Sequence, residues 1–193
     1  MTYLILGIVV WSVAHLLPAL ATGPRQRWIE KIGEARYKLA FTLIIALSLT
    51  LIIGGWRSAD HVSLYPVAMS TRWLALALML VSIILFAISA TRNNFKHWLR
   101  HPQMLSVILW SVAHLLSNGD AASLVLFGGL AVWAVIEIVA INRRDGEWQK
   151  PAKQPRKNDV IAVLAGFLGF VAALLLHPWL AGVSLVQLTG GGS

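Results

Sequence analysis

Six apolar runs of near-spanning length, joined by short charged loops, limit this chain to very few architectures. The runs are Thr2–Leu20, Lys38–Ile53, Thr71–Thr91, Pro102–Ser117, Ala121–Ile141 and Asp159–Leu180. A helix needs about 20 predominantly apolar residues to cross a bilayer core, and each of the six is near that length, from 16 to 22 residues. Backbone polar groups in lipid must be satisfied within the chain, which leaves helices or closed barrels. No alternating strand pattern occurs, so helices are the expected spans. Composition agrees: 58% of residues are hydrophobic and 12% charged, about half the ~25% charged share of soluble domains. The expected fold is all-α, an integral membrane six-helix bundle forming one transmembrane domain over residues 1–189. The tail Gly190–Ser193 reads as a flexible linker. No basic residue precedes the first run and no small-residue cleavage site stands out, so it reads as a retained helix.

Charge sorts sharply between the loops. Fourteen Lys and Arg residues fall in loops one, three and five, against only Arg57 and Arg72 in loops two and four. The positive-inside rule then makes the odd loops cytoplasmic and both termini periplasmic, in a bacterial inner membrane. The same distribution argues against nucleic acid as the partner of the net charge of +8, because the cations line no single helix face. With no cysteine, disulfides, thiolate nucleophiles and Cys-ligated metals are excluded. Asn118-Gly119 is expected to form a tight turn, with Asp120 capping the next helix, so the fourth and fifth helices pair as a hairpin.

One heptad occurs twice. Trp11-Ser12-Val13-Ala14-His15-Leu16-Leu17 returns unchanged as Trp110-Ser111-Val112-Ala113-His114-Leu115-Leu116. The two copies lie on helices of opposite direction, so two inverted three-helix halves are one account of the repeat. A shared local chemical task is the other. A small transporter would follow from the first, but matched helix breaks at the midplane are missing.

Ionisable side chains inside a membrane helix are costly and are functional candidates. His15 and His114 are the deepest of the histidines. Trp11 and Trp110, four residues earlier, share the imidazole's face and can wall an apolar pocket; Ser111 shares it too. Two neutral imidazoles on different helices are what bis-imidazole haem ligation requires. Interhelical hydrogen bonding is the simpler alternative. The helix order places His15 inward of the midplane and His114 outward, which a shared haem must accommodate. Arg100-His101-Pro102 opens the fourth helix, either as an interfacial anchor or as contacts for an anion such as a haem propionate or a carboxylate. Glu137 is expected to reach loop cations, His177 to anchor at the outer interface, and His61 and His97 have no evident partner.

Several segments together carry a family resemblance. They are His101-Pro102-Gln103-Met104, the stretch Leu109 to Asp120 containing Ala113-His114-Leu115-Leu116-Ser117-Asn118-Gly119-Asp120, and Ser123 to Gly128. His15-Leu16-Leu17-Pro18-Ala19, Gly33 to Tyr37 and Arg156-Lys157-Asn158-Asp159 belong with them. In these the chain resembles the NnrU family along nearly its whole length. The resemblance implies an association with nitrite and nitric oxide reduction, and hence a reductase system or redox partner. It also implies kinship with 15-cis-zeta-carotene isomerases, which bind haem b through histidines matching His15 and His114. Isomerisation of a polyene lipid is therefore the alternative activity. Those isomerases carry a cysteine, proposed as an alternative ligand, where this chain has Ser111, which supplies no thiolate. The Arg-His-Pro segment also resembles membrane methyltransferases related to isoprenylcysteine carboxyl methyltransferase. Their paired glutamates are missing after the fifth helix, and methyl transfer ranks low. Whether the protein is an enzyme, and its oligomeric state, stay open at this point.

Overall fold

A computed structural model describes residues 1–181; the expected linker and the C-terminal part of the 1–189 domain lie outside them. The helices are α1 (Thr2–Leu20), α2 (Thr22–Ile32), α3 (Glu34–Arg57), α4 (Thr71–Ala90), α5 (Pro102–Leu115), α6 (Ala121–Ser123), α7 (Gly129–Asp145) and α8 (Arg156–Ala181). A π-helical turn, Leu124–Gly128, joins α6 to α7, so that Ala121–Asp145 runs on as one apolar helix of 25 residues.

Among the described residues, five helices are long and apolar enough to span a membrane, and α5 is shorter. Six spans were expected, the fourth among the shortest; α5 has 14 residues, about 21 Å of rise against a core of about 30 Å. Pro102 occupies its first turn, where the missing N–H costs nothing. Its early end is paired rather than bare. Tyr65 Oη donates to Leu115 O (2.7 Å) and Asn118 O (2.9 Å), Thr71 Oγ1 to Leu116 O (2.8 Å), and Asn118 Nδ2 to His114 O (2.9 Å). A helix can stop short inside an apolar layer only when its last carbonyls are satisfied in this way.

The packing order differs from the chain order. α3 lies on α1, α1 on α7, α7 on α5, α5 on α4, and α4 on α8. The expected hairpin across Asn118-Gly119 is present as the α5–α7 contact, with Asp120 Oδ1 accepting from Ser123 N at 2.9 Å. Small residues set the closest approaches. A Cβ on Gly55 would run into the Leu4 backbone, and one on Gly166 would lie 2.6 Å from Ile84 Cα. Large apolar side chains face outward, including Leu39, Leu43 and Leu47 of α3 and Leu164, Leu168 and Leu175 of α8. The interior holds apolar residues such as Leu4, Ile52, Phe127 and Trp133 together with Ser48, Ser82, Ser106, Ser111 and Ser123. Ser82 Oγ bonds Ser106 O across α4 and α5 at 2.9 Å. A large apolar surface over an interior that also buries small polar residues fits a lipid solvent.

The loops gather at two ends. At the basic end, Arg144 Nη1 reaches Pro18 O (3.4 Å), Arg100 Nη2 reaches Gly146 O (2.9 Å), and Asn94 binds both Asp159 and Gln154. At the opposite end, the 59–70 loop is fastened to the α5–α6 turn. Leu64 N and Tyr65 N donate to Gly119 O, Ala121 N donates to Val62 O, and His61 Nδ1 pairs with Asp120 Oδ1 at 2.8 Å. His61 thus has a partner, 59 positions away, that the sequence alone did not reveal.

Asp120 carries a testable consequence. Desolvation pushes its carboxyl up, but hydrogen bonds from Ser123 Oγ and N–H and from His61 outweigh this and hold it below the ordinary carboxylate range. A depressed folded pKa stabilises the fold above the unfolded value, near pH 4, and that contribution fades as pH falls through the lower folded value. Thermal unfolding in detergent should therefore show Asp120→Asn melting below the unaltered protein at pH 7, with the gap closing under about pH 4. A gap independent of pH would show that the charge of Asp120 contributes nothing.

Candidate functional site

The repeated heptad folds the same way twice. His15 Nδ1 lies 2.9 Å from Trp11 O, and His114 Nδ1 lies 2.8 Å from Trp110 O. A carbonyl only accepts, so each Nδ1 carries the hydrogen and the Nε2 of each neutral ring keeps a lone pair. Fixing the tautomer through Nδ1 is how a protein prepares an imidazole to bind a metal through its other nitrogen. Each ring also lies tilted against its own tryptophan, with centroids 4.1 Å apart for Trp11–His15 and 4.8 Å for Trp110–His114.

The α6–α7 helix stands between the two copies and touches both. Phe127, in the π-helical turn, stacks on His114 with centroids 4.4 Å apart and planes 22° apart, and meets Trp110 at 4.8 Å. Trp133 meets His15 at 5.2 Å and Trp11 at 5.6 Å, both edge-on. Phe41 of α3 closes the His15 side at 5.7 Å. Trp133, Met104 and Ala134 form a buried cluster on which Trp11 and Leu16 of α1 and Val107 and Ile108 of α5 pack. Both histidine helices therefore converge on one face of α7, with indole between them. Phe127 and Trp133 are six positions apart, about 9 Å of helical rise. His114 lies at the level nearer the 59–70 loop and His15 at the level nearer the basic end.

Several buried polar atoms around the rings lack partners. Among the described residues, Trp11 Nε1, Trp133 Nε1 and Ser111 Oγ have no hydrogen-bond partner. Glu137, one turn beyond Trp133, is only 7% exposed, and its Oε2 is equally unpartnered. It lies within electrostatic range of Arg144 but forms no ion pair with it, so the expected pairing with loop cations is not made. His177 of α8 comes within electrostatic range of His114, which adds a third imidazole at that level.

Arg100 and His101 lie apart from this constellation. They stand 14 and 13 positions before His114, about 20 Å along α5, at the basic end. His101 Nε2 pairs with Asn142 Oδ1 at 2.8 Å. Both residues line a cavity of about 320 Å³ with Lys96, Leu99, Met104 and Trp148.

Sequence reasoning found the two histidines and their tryptophans but missed Phe127, Trp133 and Phe41. The available signal was two aromatics six positions apart in the span after the Asn-Gly-Asp turn. Gly129 has a plain packing role, since a Cβ there would lie 3.1 Å from Ile8 Cγ2.

Among the described residues, no group of three or more His, Cys, Asp or Glu side chains is placed to hold a metal ion. Haem brings four nitrogens of its own and asks the protein only for axial donors and an apolar, partly polar-lined slot. In donor chemistry His15 and His114 fit that request, and the indole N–H groups offer donors to polar substituents.

Spans, loop sorting and interior together define a multi-pass helical membrane protein. Residues 3–185 match the family described as NnrU protein, nearly the whole chain, and the protein belongs to that family. No curated protein and no solved structure gives a significant match.

Proposed function

We propose that this NnrU-family protein binds haem b through His15 and His114 and supports nitric oxide or nitrite reduction, by electron transfer, haem handling or redox sensing. The observation that carries the reading is the pair of Trp-x-x-x-His units. Each ties Nδ1–H to its own helix and leaves Nε2 as the open donor, and both face α7. Bound haem would supply one-electron redox chemistry. The chain's own residues supply the rest. Trp11, Trp110, Phe127 and Trp133 exclude water around the imidazoles, which keeps them neutral and available as ligands. The difference in depth sets a condition: for both rings to reach one iron, Trp133 must give way between α1 and α5. The positive-inside rule places the basic end in the cytoplasm of a bacterium and the described N-terminus outside.

A reduced-minus-oxidised absorption spectrum tests this. Protein purified in detergent and supplemented with haem b should give a Soret band and a sharp low-spin signal on reduction. Absence of any Soret band after supplementation would remove the cofactor, and with it the redox role.

A further inference from the structure

Two cavities at the basic end share a wall but differ in charge. The first, about 320 Å³, is lined by the cations Lys96 and Arg100 over an apolar floor of Leu99, Pro102, Met104 and Ile141. The second, about 500 Å³, shares Arg100, His101, Ile141 and Trp148 with it and adds the carboxylates Asp145 and Glu147. Both volumes fall in the range of about 300–1,000 Å³ that suits a small-molecule site. The cations are held in place without being neutralised. Lys96 Nζ donates to Ser89 O at 2.7 Å and Arg100 Nη2 to Gly146 O at 2.9 Å, and among the described residues neither has a carboxylate within ion-pair distance. On the acidic side, Asp145 pairs with Arg144 at 2.6 Å, while among the described residues Glu147 forms no such pair.

From this juxtaposition we propose that the cleft binds the zwitterionic phosphoethanolamine headgroup of a membrane phospholipid. The site is distinct from the histidine constellation and independent of the haem reading. The phosphate suits Lys96 and Arg100, since guanidinium and ammonium donors form charge-assisted bonds to phosphoryl oxygens. The ammonium suits Glu147 across the shared wall, since both Asp145 oxygens are taken by Arg144. The acyl chains follow the floor of Leu99, Met104 and Ile141, where α5 enters the bilayer beside the interfacial Trp98 and Trp148. A purely anionic headgroup would use only the cationic half and meet repulsion from the carboxylates. A headgroup without chains would leave the apolar floor uncovered.

The experiment uses the full chain, delipidated in detergent. It is titrated with short-chain phosphatidylethanolamine, short-chain phosphatidylglycerol and chain-free glycerophosphoethanolamine, and binding is read by native mass spectrometry and tryptophan fluorescence. Phosphatidylethanolamine should bind about tenfold more tightly than either of the others. Arg100→Gln and Lys96→Gln should each weaken it by a similar factor. Glu147→Gln should instead narrow the gap by strengthening phosphatidylglycerol, an opposite effect that misfolding cannot mimic. Equal affinity for the two lipids in the unaltered protein would overturn the proposal. So would phosphatidylethanolamine binding indifferent to both cation variants, or chain-free headgroup binding as tightly as the lipid.

Discussion

Haem-loaded protein carrying His15→Ala or His114→Ala is expected to lose the six-coordinate, low-spin absorption of the unaltered protein. Removing one axial imidazole leaves the iron with a single protein donor and shifts it toward a high-spin spectrum. Neither neighbour can substitute. Ser111 Oγ is a poor ligand for haem iron, and the indoles of Trp11 and Trp110 have donor N–H groups with no lone pair to offer. Ser111→Ala is the matched control, since it removes a fully buried hydroxyl while leaving both imidazoles in place. Its spectrum should stay low-spin. Retention of the low-spin signal in both histidine variants would refute the ligand assignment. Loss in only one of them would assign a single axial histidine and return the other ring to helix packing.

The second large effect concerns assembly. Gly55→Ala should cost more than the ~1–3 kcal/mol typical of overpacking, because the new Cβ would meet backbone rather than a side chain that can swing aside. It would fall on Leu4 N, 2.7 Å from Leu4 Cα and 2.8 Å from Tyr3 C. Gly7 makes the reciprocal approach, with a Cβ there 2.8 Å from Ile52 N, so α1 and α3 are locked at two levels. The neighbouring Gly54 faces open space, and Gly54→Ala should be neutral or gain about 0.5–1 kcal/mol from helix propensity. Thermal unfolding of the two variants in the same detergent makes the comparison. Equal stability would deny the α1–α3 backbone contact.

Much of this was legible because the bilayer imposes it. The apolar runs located the spans and the loop charges separated the two ends. Boundaries slipped where polar residues are tolerated at an interface. α3 runs from Glu34 to Arg57, four residues beyond the apolar run at each end. α2 was hidden because Arg25, Arg27 and Lys31 read as loop cations, although with Trp28 and Ile29 they form an 11-residue helix. α5 stops two residues before its apolar run ends, and that stop depends on the hydroxyls of Tyr65 in the 59–70 loop and Thr71 at the start of α4, about 45–50 positions away. At the site, the histidines announced themselves by repetition. Phe127 and Trp133 did not, because they come from a third helix with no motif. Arg100 and His101 read as an anion contact, and the opposing charge came from Asp145 and Glu147, beyond the reach of any local pattern.

The π-helical turn at Leu124–Gly128 makes the length of this helix a counted quantity. Such a turn holds one residue more than an α-turn, and in an α-helix each residue advances the azimuth by about 100°. The surplus residue therefore fixes the phase between Phe127, turned to the α5 side, and Trp133, which packs against residues of both α1 and α5. Deleting one residue from 124–128 would relax the turn to regular α-helix and rotate one half of the span by about 100° against the other. Either aromatic could then keep its histidine, but not both together. The two imidazole sites are thus synchronised by a single insertion, in a segment that contains neither of them.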